Sequence, residues 1–267
     1  MLKMDLKVIT LSVCEIARQA GQYIESERKR FVEDRVERKR SHDYVSYVDK
    51  GSERFIVEQT RLLLPEAGFV TEEGSATYGN EQYFWVIDPL DGTTNFIHQY
   101  APYCVSIALC RGREVLLGVV YDVTAHECFY AWQGGGAWCN GQRIGVSKTA
   151  LDDALLCIQL PYDYKAYGPV AQHLINSFYG RVASIRMMGS AAMALCYVAA
   201  GRLDAYMECY IGQWDFMAGA LLVKEAGGTV TDYDGNQFFM KGNSVVASNG
   251  LFHEDILREL PNTTAND

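Results

Sequence analysis

Two carboxylates follow an apolar, strand-like run in the segment WVIDPLDGTTNF, which spans residues 85–96. Asp88 ends the run, Pro89 stiffens the turn, and Asp91 comes three residues after Asp88. Hard divalent cations such as Mg²⁺ prefer anionic oxygen ligands, and two converging carboxylates supply them. Without a cation, the same two carboxylates repel one another. The segment therefore indicates a cation site, with an Asp-Pro turn and a helix cap as the purely structural alternative.

The residues after Asp91 indicate a site for a phosphate. Gly92 lets the backbone approach a ligand closely, and Thr93 and Thr94 open a short helical turn. Free N–H groups and the positive end of the dipole at the start of such a turn favour an anion. A metal beside a phosphate cradle is the outline of a phosphoryl-transfer site.

Further acids stand at the ends of other predicted elements. Glu72 follows the apolar run 68–70, Asp215 stands at the start of a predicted helix, and Asp49 precedes another one. Each of these acids alone is explained equally well by a helix cap or a surface turn. Together with the two aspartates of the first segment, they strengthen the interpretation as a metal site.

Two longer segments resemble the signatures of the inositol monophosphatase family. Residues 88–96, DPLDGTTNF, are similar to the first signature of the family. Residues 214–220, WDFMAGA, which run on to EAGG at 225–228, are similar to the second.

Two shorter segments strengthen the resemblance, and each departs from the family at one position. Residues 43–49, DYVSYVD, resemble its D-x-V-T-x-x-D motif, with Ser46 where threonine is usual. Glu72 and Glu73 resemble its metal-binding G-E-E, with Thr71 in place of glycine. The four segments come in the family's order, the resemblance covers about residues 5–260, and the motifs together are highly specific.

The resemblance implies both a fold and an activity. The fold is a layered α-β-α-β-α sandwich, in the α+β or α/β class, of the inositol monophosphatase and fructose-1,6-bisphosphatase type. The activity is that of a lithium-sensitive phosphomonoesterase with two or three Mg²⁺ ions. The implied metal ligands are Glu72, Asp88, Asp91, Asp215 and the backbone carbonyl of Leu90. The implied catalytic pair, which orients and deprotonates the attacking water, is Asp49 and Thr93, and the implied phosphate site is the N–H groups of Gly92 and Thr93.

The resemblance also implies contacts with the substrate. Glu208 stands where the family has an acceptor for a substrate hydroxyl, although ordinary packing is an alternative for this residue. Ser190 and Ala191 stand at a helix start that lines the sugar pocket in the family. Asp91 and Asp215 complete the implied substrate contacts.

A few residues near these motifs keep open roles. A basic residue before the first of the short motifs often serves a metal-site loop in the family, and Arg38, Lys39 and Arg40 compete for that role. Ordinary packing or solvation explains Cys209, Gln213 and His98.

The substrate class that the resemblance favours is inositol monophosphate or a similar small phosphorylated polyol or sugar. Phosphatases of 3′-phosphoadenosine 5′-phosphate, fructose 1,6-bisphosphate and histidinol phosphate with the same fold are alternatives. Members that act on phosphoadenosine commonly carry Lys-Glu where this chain has Thr94-Asn95, which favours the inositol interpretation. A partner-binding regulatory protein that retains the metal site is the alternative from another class, since some bacterial relatives are connected with RNA-related complexes.

The composition bounds the partners and the location. The chain has 267 residues, of which 49% are hydrophobic and 21% charged, and a formal net charge of −9. This acidic balance disfavours a nucleic-acid surface, so we expect no direct binding of nucleic acid. We also expect no membrane association, because there is no apolar run of about 18 residues and no signal-peptide core. Eight cysteines without a C-x-x-C pair fit small core residues in a reducing, cytoplasmic location.

The elements that must position these motifs fall into two patterns. Before residue 148, helices are predicted over residues 5–30 and 52–64 and strands over 68–70, 84–87, 103–110, 115–123 and 127–132, the last three antiparallel. After it, strands at 154–160, 184–188, 203–209 and 245–248 alternate with helices at 170–178, 191–200, 216–226 and 251–260. Such alternation predicts helices packed on a second sheet.

We therefore expect an N-terminal half, residues 1–148, with an antiparallel sheet and most metal ligands. A C-terminal half, residues 149–267, should complete the site. The family resemblance suggests a homodimer.

Overall fold

The computed structural model describes residues 5–30, 36–40, 43–79, 81–161, 163–237 and 244–260, with the backbone alone for 36–40 and 43–45. The helices are α1 (Leu6–Arg28), α2 (Tyr47–Leu63), α3 (Thr93–Ile97), α4 (Tyr164–Phe178), α5 (Ala191–Ala199), α6 (Gln213–Glu225) and α7 (His253–Glu259). The strands are β1 (Val36–Arg40), β2 (Asp43–Ser46), β3 (Gly68–Thr71), β4 (Tyr83–Asp91), β5 (Cys104–Arg111), β6 (Glu114–Asp122), β7 (Glu127–Trp132), β8 (Ala137–Cys139), β9 (Gln142–Ile144), β10 (Leu155–Ile158), β11 (Ser184–Arg186), β12 (Ala205–Cys209), β13 (Thr229–Thr231) and β14 (Ser244–Ser248).

Two mixed sheets contain all the strands except β1 and β2, which form a separate antiparallel pair. The first has seven strands in the order β3-β4-β5-β6-β7-β8-β9, with a parallel β3–β4 pair and antiparallel pairs elsewhere. The second has five strands in the order β11-β10-β12-β14-β13. In it β10 is parallel to β11 and β12, and β14 is antiparallel to β12 and β13. The predicted antiparallel run of β5 to β7 and the predicted second sheet are confirmed.

Three apolar clusters separate the layers. One lies between α1, α2 and the first sheet, and includes Val13, Ile56 and Trp85. A second lies between the two sheets, around α5 and α6, and the third lies between the second sheet and α4 and α7. Neighbouring residues of β4 belong to different clusters, since Trp85 joins the first and Phe84 the second, so this strand is buried on both faces. The predicted α-β-α-β-α sandwich is confirmed.

The division of the chain near residue 148 stays a prediction. The first sheet ends at Ile144 and the second begins at Leu155. However, α5 and α6 belong to the second half in sequence and pack against strands of the first sheet.

Several element boundaries differ from the sequence prediction. Helix α2 begins at Tyr47, five residues before the predicted start, because Ser46 caps it: the Ser46 Oγ accepts from Val48 N, and Asp49 accepts from Ser46 N. Helix α4 begins six residues before the predicted Val170 and contains Pro169. The short strands β1, β2, β8, β9 and β13 were not predicted.

Two further sequence-based expectations concern the cysteines and membrane-spanning helices. All eight cysteines are buried and free, as expected for small core residues. Every helix in the described part of the chain is too short or too polar to cross a membrane.

The contact between α6 and β6 is close because a glycine faces the helix. A Cβ atom added to Gly118 would lie 2.6 Å from the carbonyl oxygen of Ala218. That distance is well inside van der Waals contact with a backbone atom, so a larger residue would push α6 away from the sheet.

We expect Gly118→Ala to lower the free energy of unfolding by about 1–3 kcal/mol through overpacking. Gly145→Ala is the matched control, because its Cβ would meet Ala226 O at an ordinary 3.6 Å, and its effect should stay within about 0.5 kcal/mol. Urea unfolding of both variants measures this, and equal stabilities would contradict the close contact.

Candidate active site

A bulge in β4 turns Asp88 and Asp91 toward the same side of the sheet. Residues three apart in a regular strand point to opposite faces. Here Asp88 pairs with Ser106 and Asp91 with Cys104, so three steps on β4 face two steps on β5. The extra residue reverses the alternation. Proline is tolerated at such a bulge, which explains why Pro89 can lie within a central strand.

Helix α6 brings the third carboxylate to the same point. Asp215 lies in its first turn, where its Oδ2 accepts from Gly212 N at 2.7 Å. The Oγ of Ser106 donates to Trp214 O at 3.3 Å and ties the helix start to β5. One ligand atom from each of Asp88, Asp91 and Asp215 lies within 4.8 Å of the others.

The electrostatics of this triad call for a cation. Asp88 and Asp91 are buried, and within the described residues none of the three aspartates forms an ion pair with Lys or Arg. Burial and the charges of Glu72 and Asp91 raise the pKa of both Asp88 and Asp215 well above the ordinary range. A donor set of converging carboxylate oxygens without a balancing side chain fits Mg²⁺.

Glu72 borders the triad from the end of β3. Its backbone N–H donates to Ile87 O at 3.2 Å. Burial is the largest cause of the raised pKa of Asp88, and the nearby carboxylate of Glu72 is the next largest. The loop that follows is held by Glu53 of α2, whose carboxylate accepts from Glu73 N at 2.7 Å and Ser75 N at 2.8 Å.

Helix α2 therefore supports the site through one polar stripe. Asp49, Ser52 and Glu53 are all buried and lie on the same helix face as Ile56. The Ser52 Oγ donates to Pro89 O at 3.0 Å in the β4 bulge. No sequence motif singles out Ser52 and Glu53. The feature that could have revealed them is that both are polar residues on the apolar side of an amphipathic helix.

Asp49 and Thr93 form a direct pair. The Thr93 Oγ1 lies 2.9 Å from Asp49 Oδ1 and 3.0 Å from Leu90 O, so its one hydrogen is donated to one of these oxygens. The other oxygen of Asp49 accepts from Ser46 N at 2.9 Å and from Ser46 Oγ at 2.6 Å. Burial raises the pKa of Asp49, and the hydrogen bonds from Ser46 and Thr93 oppose that rise.

Gly92 adopts a conformation that other residues avoid. Its φ is 89°, and α3 begins directly after it. A Cβ atom there would also lie 3.1 Å from Pro102 O and 3.2 Å from Gly189 O. The first N–H groups of α3 have no acceptor inside the helix, as at any helix start.

Asp91 joins the first half of the chain to α5. Its Oδ2 accepts from Ser190 Oγ at 2.5 Å and from Ala192 N at 2.8 Å, with Cys104 Sγ at 3.7 Å. Burial raises the pKa of Asp91, while these hydrogen bonds lower it. Ser190 and Ala191 are buried in this arrangement, and their contact with substrate stays a prediction.

Glu208 lies at the end of β12, next to the acidic site. It is half-buried, and its Oε2 accepts a hydrogen bond from the Tyr206 hydroxyl. Burial raises its pKa to about 8, against the opposing effect of that hydrogen bond. The side chains of Arg38, Lys39 and Arg40 lie outside the described ones, and the choice among them stays open.

Comparison with known proteins gives a consistent result over nearly the whole chain. The family model described as "Inositol monophosphatase family" matches residues 5–265. The Nus factor SuhB of Salmonella typhimurium is 40% identical over 246 residues, which are 91% of each chain. An inositol-1-monophosphatase of Mesorhizobium japonicum is 38% identical over 218 residues, 81% of this chain and 82% of that protein.

A solved structure agrees with the fold as well. The crystal structure of the extragenic suppressor protein suhB from Bartonella henselae superposes with a TM-score of 0.90 at 32% identity. The match covers 96% of this chain and 99% of the other. Given the match to the family model and to these relatives, the chain belongs to the inositol monophosphatase family.

Proposed function

We propose that the chain is a Mg²⁺-dependent phosphomonoesterase that hydrolyses inositol monophosphate to inositol and phosphate. The observation that supports this most is the convergence of Asp88, Asp91 and Asp215 within 4.8 Å, close to the hydrogen-bonded pair of Thr93 and Asp49. A set of metal ligands beside a polarised hydroxyl is what phosphate ester hydrolysis requires. Membership of the family agrees with a phosphatase.

Five groups would hold the metal in this proposal. They are the carboxylates of Glu72, Asp88, Asp91 and Asp215 and the carbonyl oxygen of Leu90. When bound, two or three Mg²⁺ ions supply positive charge that offsets the phosphate charge and lowers the pKa of water. Asp91 has one oxygen for this role, since its Oδ2 is committed to α5.

The start of α3 is the proposed phosphate site. The N–H groups of Gly92 and Thr93 stand free of helical acceptors, and the left-handed conformation of Gly92 turns the backbone there. Backbone N–H groups bind phosphate oxygens without a change in protonation.

Thr93 and Asp49 are the proposed path for a proton. A water on the far side of the Thr93 Oγ1 can donate to this oxygen while the threonine hydrogen points to Asp49 Oδ1. As the water attacks phosphorus, its proton passes to Thr93 and the threonine proton passes to Asp49. Burial raises the Asp49 pKa, which strengthens it as an acceptor.

The leaving group is the ester oxygen of the polyol or sugar, which keeps the electron pair of the broken P–O bond and takes a proton from solvent water to become a hydroxyl. Glu208 is the proposed acceptor for its other hydroxyl groups, with Ser190 and Ala191 near the same pocket. The candidate esters differ in the number and placement of these hydroxyls as well as in the rest of the leaving group, so this part of the site should influence which ester is hydrolysed.

A second candidate function is a regulatory one, through a protein or nucleic-acid partner. The observation in its favour is that a relative with 40% identity carries the name Nus factor. The expectation that the chain binds no nucleic acid directly rests on its net charge of −9 alone and has no support from this relative. A homodimer and a cytoplasmic location also stay predictions.

Turnover should depend on the metal and on the ester. We expect kcat/KM to be highest for inositol 1-phosphate in a panel with 3′-phosphoadenosine 5′-phosphate, fructose 1,6-bisphosphate and histidinol phosphate. Excess EDTA should abolish turnover, added Mg²⁺ should restore it, and lithium should inhibit. A different preferred ester would reassign the substrate. No turnover on any of them would favour the regulatory function.

The metal-free protein should lose stability as the pH rises. The pKa values of Asp88, Asp215, Asp91 and Asp49 are raised above 3.8 on folding, so the folded state retains protons that the unfolded state releases. The free energy of unfolding in EDTA should therefore fall from about pH 5 to pH 8. Mg²⁺ should raise the urea midpoint more at pH 8 than at pH 5.

Asp88→Asn is the matched variant for this measurement, because it removes one of the crowded charges while the side chain keeps its shape. Its midpoint in EDTA should depend less on pH than that of the parent chain. A midpoint of the parent that rises with pH in EDTA would contradict the prediction.

The two threonines at the start of α3 should differ. Thr93→Ala should lower kcat by roughly 10²-fold or more with little change in KM, because a positioned proton acceptor is lost while the N–H groups remain. Asp49→Asn should give a similar loss, and the double variant should be little worse than either one. Thr94→Ala is the control and should cost far less activity.

Steady-state kinetics of the four variants decides this assignment. Asp49 also caps α2, so the unfolding of each variant is measured in parallel. Effects of Thr93 and Asp49 that multiply independently, or a larger loss from Thr94→Ala, would refute the proton path.

A further inference from the structure

We infer that Tyr206 is a positioning residue that holds Glu208 ready to receive the hydroxyl groups of the substrate. The observation is a hydrogen bond from the Tyr206 hydroxyl to Glu208 Oε2. Tyr206 is completely buried, whereas Glu208 is half-buried. The inference rests on the proposed function and adds to it a determinant of specificity.

The geometry of β12 explains why these two residues meet. Residues two apart in a strand point to the same face, so Tyr206 and Glu208 both face the layer between the sheets. Tyr206 belongs to the apolar cluster of that layer, which also contains Phe216 of α6. Glu208 is the next residue on this face and lies nearer the triad, where its charge raises the pKa of Asp215.

The tyrosine ring is fixed by packing, and this makes its hydroxyl a fixed donor. A buried hydroxyl needs a partner, and within the described part of the chain the Tyr206 hydroxyl donates to Glu208 alone. The bond occupies Oε2. The other carboxylate oxygen, Oε1, has no hydrogen bond from the described residues and is left to accept from a ligand.

This arrangement selects for a class of substrate. A glutamate side chain has three rotatable bonds, and a free one would have to be ordered at each binding event. Tyr206 orders it in advance, which favours ligands that donate hydroxyl hydrogens to Oε1. Polyhydroxylated esters such as inositol 1-phosphate do so. An aryl ester without hydroxyl groups, such as p-nitrophenyl phosphate, does not. Its hydrolysis should therefore be unaffected when the Tyr206 hydroxyl is removed.

Tyr206→Phe tests this, because it removes one oxygen atom and leaves the ring. We expect KM for inositol 1-phosphate to rise about tenfold with kcat within about twofold, the scale of one lost hydrogen bond. KM and kcat for p-nitrophenyl phosphate should not change. Glu208→Gln should give the same split, and the double variant should be no worse than the more affected single one.

Tyr130→Phe is the matched control, since Tyr130 is a buried tyrosine in the cluster on the other face of the first sheet. Tyr130→Phe should leave KM and kcat unchanged for both inositol 1-phosphate and p-nitrophenyl phosphate. A loss in Tyr206→Phe that is equal for both substrates would show a structural role only and would overturn the inference. An unchanged KM for inositol 1-phosphate, or effects of Tyr206 and Glu208 that multiply, would overturn it too.

The failure of the proposed function gives a different result. In that case the parent chain would hydrolyse neither ester in the presence of Mg²⁺. If the parent chain hydrolyses both and Tyr206→Phe behaves like the parent, only the role of Tyr206 is refuted.

Discussion

Carboxylates that leave water and approach one another raise the free energy of a protein unless a cation neutralises them. Asp88, Asp91 and Asp215 meet under these conditions, and the surrounding structure keeps them from relaxing apart. The bulge in β4 directs two of them to one side, and the start of α6 supplies the third. Elements on both sides of the first sheet then serve to hold these few atoms. The triad thus lowers the stability of the metal-free protein at a place that could hold a metal ion.

Contacts at the site also connect the first sheet to the helices that lie between the two sheets. Asp91 belongs to the first sheet, yet its Oδ2 is bound by the start of α5. Asn95 strengthens the same junction, since its side-chain amide donates to Pro102 O and to Met188 O at 2.8 Å each. The geometry of the triad therefore depends on the packing of α5 and α6 against the first sheet, and not on any single loop.

Residues with a chemical signature could be predicted, whereas residues that act through burial could not. Asp88, Asp91 and Asp215 could be predicted to meet because several acids stand at element ends together and the motifs around them are specific. Glu53 was missed, since a glutamate within a helix is ordinary unless its helix face is known to be buried. Tyr206 gave no signal either, because a tyrosine in an apolar strand is typical of a core.

The boundary errors have a similar cause. The run Tyr47-Val48 favours a strand by local preference, and the cap formed by Ser46 and Asp49 overrides it. Pro169 suggests a helix start, but α4 begins one turn earlier, where the Asp163 side chain caps it by accepting from Ala166 N. The strand β13 is three residues long and owes its pairing to β14 more than to its own sequence. In each case a neighbour that is distant in the chain, or a single side chain, decides the structure.

The polar stripe of α2 has a consequence for how such a chain can change over time. Asp49 contacts the hydroxyl of Thr93, Ser52 holds the β4 bulge, and Glu53 holds the loop after Glu72. One rigid helix thus supports both the loop after Glu72 and the stretch from the β4 bulge to Thr93. An insertion or deletion of one residue between Asp49 and Glu53 would rotate these two side chains about the helix axis by about 100° relative to one another. The three supporting contacts of α2 could then not all be kept.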